Sequence, residues 1–188
     1  MNEAEFIQAL KKKNENAFRI LLDEYQQKVY NTVLNIVQDE DEADDGAQEV
    51  FIKIYENISS FKNDSKLSTW IYSIAVRYAI DMVRKRKTKQ KLLSWLSFSS
   101  ERERTKTDSV FYHPGVKIEN KEKAAELFKA LEKLPERQKA AFTLIRIQGL
   151  TYEETSQIMQ QSVKAIESLL SRAKENLQKH LQHVKNER

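Results

Sequence analysis

Apolar residues recur at three- and four-residue steps along most of this chain, the period of helices that turn one face inward. Few folds remain open to such a pattern here, because only three Gly and two Pro interrupt 188 residues. The rest is rich in Lys, Glu, Gln, Leu and Ala, which favour helix by intrinsic propensity. An all-α protein is expected.

The first apolar series, Phe6, Leu10, Phe18, Leu21, Leu22, Tyr25, Val29, Val33 and Ile36, predicts two helices joined near Asn14 and Asn16. A third helix should begin in the acidic run Asp39 to Asp45, where acids favour a helix N-terminus. It carries Ala43, Ala47, Val50, Phe51 and Ile54 inward and ends near Asn57. Residues 58–68 read as a surface loop. Ser68 or Thr69 then caps a fourth helix bearing Trp70, Ile71, Ile74, Ala75, Tyr78, Ile80 and Met82. That helix runs into a basic cluster, Arg84, Lys85, Arg86, Lys87, Lys89 and Lys91. Four helices therefore close a first domain over residues 1–91.

Periodicity lapses over residues 92–119, which mix charges, Ser and Thr with Pro114, Gly115 and the aromatics Trp95, Phe98, Phe111 and Tyr112. The composition is that of an extended linker. A second domain, 120–188, opens with Ala124, Leu127, Phe128 and Leu131, followed by a helix with Pro135 at its first position. This helix carries Ala141, Phe142, Leu144 and Ile145 and stops before Gly149. Thr151 and Glu154 have capping-box spacing for a short helix to Met159. After Gln160–Gln161, Ser162 can cap a longer helix to about Leu181. Short helix, turn and long helix make a helix-turn-helix.

On the last helix Ile166, Leu169, Leu170, Ala173 and Leu177 share one face, so Lys164, Glu167, Ser168, Ser171, Arg172 and Glu175 lie opposite. Recognition helices meet base edges chiefly through their N-terminal residues, which singles out Lys164, Glu167 and Ser168, with Arg172 and Lys174 for phosphates. A plain amphipathic helix with a solvated outer face is the alternative. The net charge is +4, and residues 121–188 carry 13 basic against 9 acidic side chains. An acidic run on one element and a basic run on another suit a protein partner on one face and a polyanion on another.

Catalysis finds little support. Asp44, Asp45 and Glu49 have no inward-facing helical His beside them and no glycine-rich phosphate loop exists. Neither an enzyme nor a cofactor is expected. Without cysteine there is no thiolate metal site or disulfide, and His180 and His183 lack further ligands, so no metal is expected. Long apolar runs and a signal-like N-terminal stretch are absent, so a cytoplasmic protein without membrane insertion is expected.

Two segments go further. Ala43-Asp44-Asp45-Gly46-Ala47-Gln48-Glu49-Val50-Phe51 and Ser68-Thr69-Trp70-Ile71-Tyr72, with Ile74-Ala75, Asp81 and Arg84, resemble signature stretches of the extracytoplasmic-function (ECF) sigma factors of bacterial RNA polymerase. So do Leu134-Pro135-Glu136-Arg137-Gln138, Gly149-Leu150-Thr151-Tyr152 with Glu154, Ser162 to Ser168, and Ser171-Arg172-Ala173-Lys174. The resemblance implies a transcription initiation factor that binds polymerase core through Asp44, Asp45, Gln48, Glu49 and Phe51. It implies that Phe61, Ser65, Lys66, Ser68, Thr69, Trp70, Arg77, Tyr78, Asp81, Arg84, Lys85 and Arg86 engage the melted −10 element. The −35 duplex would be read by Ser162, Lys164, Ala165, Glu167, Ser168, Ser171, Arg172 and Lys174, and an anti-sigma factor or other recruiting protein is an expected partner.

The chain departs from the family pattern at Arg77, where Asn is frequent, at Gln160, where the turn commonly has Gly, at Gly46 inside a helix, and at Thr155-Ser156, where an apolar residue and Ala are usual. Relaxed promoter reading with help from a recruiting factor is one consequence. Two other readings are a stand-alone helix-turn-helix regulator binding an operator as a dimer, and an interaction module whose DNA face has decayed.

Overall fold

The computed structural model describes residues 2–96 and 121–186. The expected linker, 92–119, lies outside them except for 92–96. Among the described residues are eight α-helices, α1 Glu3–Lys11, α2 Glu15–Val37, α3 Glu40–Asn57, α4 Leu67–Leu96, α5 Lys121–Glu132, α6 Glu136–Phe142, α7 Tyr152–Met159 and α8 Val163–Asn186, with a 3-10 turn at Ile58–Ser60. No strand occurs among them.

Local chemistry sets most helix starts. Asn2 and Glu5 form a reciprocal capping box on α1, the Asn14 side chain accepts from the Ala17 amide on α2, and the Asp39 carboxylate accepts from the Glu42 amide on α3. Each satisfies an amide that the helix itself leaves unpaired. The α4 start differs from expectation: the helix begins at Leu67, so Ser68 and Thr69 sit inside its first turn rather than capping it. Leu67 and Thr69 are buried, and seating them in the core advances the helix start. α4 also continues past the expected domain end, so 92–96 are helical.

Helices α1 to α4 pack around Leu10, Leu21, Leu34, Ile36, Ile54, Ile58 and Ile71, all fully buried. Each such side chain contributes about 1.5–3 kcal/mol relative to exposure. Leu22 departs from its expected place in this stripe, being 40% exposed. Gly46 explains itself here. A Cβ on it would stand 3.0 Å from Val33 Cγ1 and 3.1 Å from Met82 Sδ, so glycine lets α3 approach α2 and α4 closely.

In the second half Pro135 is the residue before α6, with extended backbone (ψ 144°), one position earlier than expected. After Phe142 the chain widens into a π-helical turn, Thr143–Ile147, in which the Gln148 amide donates to the Thr143 carbonyl at 2.9 Å. Gly149 (φ 71°) ends it in the left-handed region. The capping box of Thr151 and Glu154 is present on α7, and the Ser162 hydroxyl accepts from the Ala165 amide at the start of α8. Gln160 takes the left-handed turn conformation at φ 51°. Thr155 is fully buried and its hydroxyl has no hydrogen-bond partner among the described residues, which costs about 1–3 kcal/mol. A small core of Ala130, Leu131, Leu134, Ala173 and Leu177 ties α5 to α8.

The second half does not stand apart. Ala140, Leu144 and Ile158 belong to the same buried cluster as the first-half core, with α6 against α2 and α7 against α4.

Gly46→Ala should lower stability. The propensity gain of about 1 kcal/mol is outweighed by overpacking of roughly 1–3 kcal/mol against Val33, which is fully buried and stiff. Urea denaturation should give a net loss of about 1 kcal/mol. An unchanged or raised midpoint would show that the helices part at no cost.

Candidate protein- and DNA-binding surfaces

Three surfaces emerge from these elements. The first lies between α2 and α3, where Leu22, Gln26, Tyr30, Asp44, Gln48 and Phe51 line a groove of about 610 Å³ with Ala47 and Ile52. Ile52 is 49% exposed and Ile20 and Tyr55 are also exposed. Apolar side chains held in solvent along a groove with a carboxylate on its rim suit a partly basic protein surface. Asp44 and Gln48 line this groove, whereas Asp45 and Glu49 do not and lie on the neighbouring part of the α3 surface, towards α4. There burial, then Glu49 and Asp45, raise the pKa of Tyr78 above its usual value. The expected polymerase set is thus divided, with part of it outside the groove. Leu22, Gln26, Tyr30 and Ile52 were missed because on helical period they read as core edge or solvent.

The second surface is the outer side of α4. Trp70, Ser73, Arg77, Tyr78 and Asp81 line a recess of about 480 Å³ together with Lys53 and Asn57 of α3. Phe61 is buried, with its ring centroid 5.3 Å from that of Trp70, so it braces Trp70 rather than facing outward. Thr69 is likewise buried. Arg86 donates to Glu42 and to the Val37 carbonyl, both at 2.9 Å, which fastens α4 to the junction of α2 and α3. Lys85 is exposed. Lys53 and Asn57, four residues apart on α3, escaped notice because the sequence gives no sign that α4 packs beside them.

The third surface is the outer face of α8. Lys164, Glu167, Ser168, Ser171, Arg172, Lys174 and Glu175 are all exposed, while Ile166, Leu170, Ala173 and Leu177 are buried. The face expected for DNA is therefore presented. Two of its hydroxyls have local bonds, Ser168 to the Lys164 carbonyl at 2.9 Å and Ser171 to Glu175 at 3.2 Å. Ser162 serves as a cap and Ala165 is half-buried.

Between the halves, Glu136 meets Lys87 at 2.8 Å and Arg84 at 3.7 Å, and Glu154 meets Lys66 at 2.8 Å. The Lys87 hydrogen bond holds the Glu136 carboxyl below its usual range, and that of Lys66 does the same for Glu154. Tyr72 donates to Gln148 at 3.1 Å. Lys139 is only 4% exposed, with Nζ 3.4 Å from the Ile36 carbonyl. Burial, reinforced by Arg86 and Lys87 and opposed by Glu132 and Glu136, lowers its pKa from 10.5 to about 8.

Among the described residues no helix is long and apolar enough to cross a membrane. Residues 21–89 match the family model for sigma-70 region 2, and residues 124–177 match that for sigma-70 region 4. The RNA polymerase sigma-H factor of Pseudomonas aeruginosa is 30% identical over 195 residues, covering 98% of this chain and 96% of its own. The ECF sigma factor SigW of Bacillus subtilis is 31% identical over 182 residues, covering 95% and 96%.

Among solved structures, the sigma factor RpoE of Bartonella quintana, in complex with the anti-sigma factor NepR, is similar with a TM-score of 0.69 and 25% identity, over 88% of this chain and 96% of that one. CnrH, in complex with the cytosolic domain of CnrY, shares the fold with a TM-score of 0.66 and 19% identity, over 95% and 96%. The chain belongs to the ECF family of RNA polymerase sigma factors. It is a transcription initiation factor, and the stand-alone regulator is not favoured, since the region 2 match leaves that reading without a use for the first half.

Lys139 makes stability depend on pH. Its folded pKa lies below the unfolded value, so between about 8 and 10.5 the unfolded chain binds more protons and stability rises with pH. Below pH 8 the whole penalty of the buried ammonium is present. Lys139→Met should therefore stabilise the protein at pH 7 by roughly 1–3 kcal/mol and flatten the alkaline rise. Thermal melts of both proteins across this range test the assignment, which fails if the variant keeps the slope.

Proposed function

We propose that the α2–α3 groove docks on polymerase core, that the α4 recess holds the melted −10 strand, and that α8 enters the major groove of the −35 element. Residues 1–96 would form the unit for core and −10 binding, and residues 120–188 the unit for −35 binding. The observation that carries the reading is the groove, where exposed Leu22 and Ile52 flank Asp44 and Gln48. Apolar side chains held at such a surface mark a partner site.

In the recess, Trp70 and Tyr78 offer aromatic faces for an unpaired base, and Arg77 and Lys53 add positive charge. Stacking is worth about 1–3 kcal/mol per base, enough to offset part of the lost pairing. Arg84, Lys85 and Lys66 would act on phosphates by counterion release. On α8, Lys164 and Glu167 would face bases, with Arg172 and Lys174 towards the backbone. The chain contributes binding that favours the open strand over the duplex; the polymerase performs the chemistry. It would act in the cytoplasm, and an anti-sigma protein would compete for the same groove or recess.

Promoter-dependent transcription with purified core polymerase tests the docking. An Asp44→Lys, Ile52→Glu variant should bind core at least about tenfold more weakly and lose its transcripts. Glu49→Lys, outside the lining of the groove, should retain core binding. Equal loss in both would place the polymerase elsewhere on the helix.

Arg77 lends the recess charge in place of the hydrogen-bond selectivity of an amide. Transcription from a randomised template library should therefore yield a broad −10 consensus that sharpens in Arg77→Asn. A sharp consensus from the unaltered chain would end the idea of relaxed reading.

A further inference from the structure

The turn between α1 and α2 is closed in a way that ordinarily calls for glycine. The Asn14 amide donates to the Ala9 carbonyl at 3.1 Å and the Lys13 amide to the Leu10 carbonyl at 2.9 Å, with Lys13 in the left-handed region at φ 56°. A side chain strains such a backbone and glycine does not. Yet the side chain of Lys13 has a place. Its ammonium stands 4.5 Å from the ring centroid of Tyr55 on α3, and that ring lies 4.8 Å from the ring of Phe18 on α2. Tyr55 is 43% exposed, and Lys13 enters no ion pair among the described residues. The ring face therefore orients a cation whose charge is still open to a partner.

This cluster continues the α2–α3 groove. Asp44, Gln48, Phe51 and Tyr55 follow one another at steps of four, three and four, which puts them on one stripe of α3. Gly46 meets Val33 and Tyr55 meets Phe18, so the two helices run antiparallel. Tyr55 and Phe18 are thus the end of the groove remote from Asp44, about 16 Å away along the helix. The two ends differ in sign. Glu40 and Asp41 precede Asp44 in the first turn of α3, Lys11, Lys12 and Lys13 crowd the other end, and exposed Leu22 and Ile52 lie between.

We infer that Lys13, poised on Tyr55, is a second anchor for polymerase core and gives the docking its direction. The partner would lay an elongated apolar ridge along the groove, with a cation opposite Asp44 and a carboxylate opposite Lys13. The inference rests on the reading of the groove as the core-binding surface. A ridge laid the other way round would set like charges together at both ends, so the pair of charges selects one direction. Nucleic acid is a poor occupant, because the acidic end would repel its phosphates.

Binding of the full chain to immobilised core polymerase would be measured at low and high salt, with sedimentation velocity for the state of the free chain. Lys13→Gly leaves the turn without strain and removes the cation. It should bind core on the order of threefold more weakly at low salt, and Lys13→Glu on the order of tenfold, both losses shrinking as salt rises. Lys12→Glu makes the same charge change one residue away, without the Tyr55 contact, and should lose clearly less than Lys13→Glu.

Lys13→Gly binding like the unaltered chain overturns the inference. So does a loss of equal size at both salts, which marks a fault in the turn and not a lost charge. Equal losses in Lys12→Glu and Lys13→Glu overturn it too, as does self-association of the free chain that Lys13→Glu abolishes, which assigns the surface to a second copy. Asp44→Lys separates these failures from that of the underlying reading. If it binds core normally, the groove is not the core surface and the inference falls with that reading. If it weakens binding while both Lys13 variants bind normally, only the inference fails.

Discussion

Residues Asn31 to Val37 are buried on every side of α2, so several packings must be satisfied around the end of a single helix. α3 and α4 cover part of it and α6 with the following turn covers the rest. This enclosure accounts for polar residues where a surface helix would have solvent. Asn35 donates to the Asn31 carbonyl, Gln27 donates to Asn31, and the Thr32 hydroxyl donates to the Lys28 carbonyl. These local bonds satisfy side chains that burial would otherwise penalise. Gly46 belongs to the same constraint, since α3 reaches its place against Val33 only without a side chain there.

The charge pattern is partly spent inside the molecule. The acidic run and the basic run look in sequence like two separate docking faces, yet Arg86 turns inward to Glu42 and the Val37 carbonyl. Arg84 and Lys87 are drawn to Glu136. Among the carboxylates that remain exposed on α3, Asp44 stands beside apolar side chains in the groove. This is a more specific surface than a charged patch, because apolar burial supplies affinity while the carboxylate fixes orientation.

The class of fold was legible from periodicity, and so were most helix limits. Caps explain why. Thr151 with Glu154, Ser162 and Asp39 act within four residues, so the sequence contains the whole interaction. The outer face of α8 was legible for the same reason, as one helix defines both its faces. Recesses were not, because Lys53 and Gln160 enter the α4 recess from other elements. Nor was the contact of the two halves. Asn31, Thr32, Asn35 and Lys139 have the composition of solvent faces, and only the assembled helices bury them. The π-helical turn has no local signature at all, and its register follows from seating Thr143 and Leu144 in the core.

Deviations from the family pattern acquire different physical meanings once placed. Gly46 is required by a close approach, and Gln160 occupies a left-handed turn that glycine would adopt with less strain. Gln160 also supplies a side chain to the recess of α4, which glycine could not do. Thr155, by contrast, leaves a buried hydroxyl without a partner and weakens the short helix on which Ile158 sits. The element that closes against the first half is thus held with a strained turn, an unsatisfied hydroxyl and a buried ammonium nearby. In this chain the buried ammonium and the Thr155 hydroxyl lie in the second half, on helices that meet α2 and α4, while left-handed backbone occurs in both halves, at Lys13, Gln38 and Asn63 as well as at Gln160.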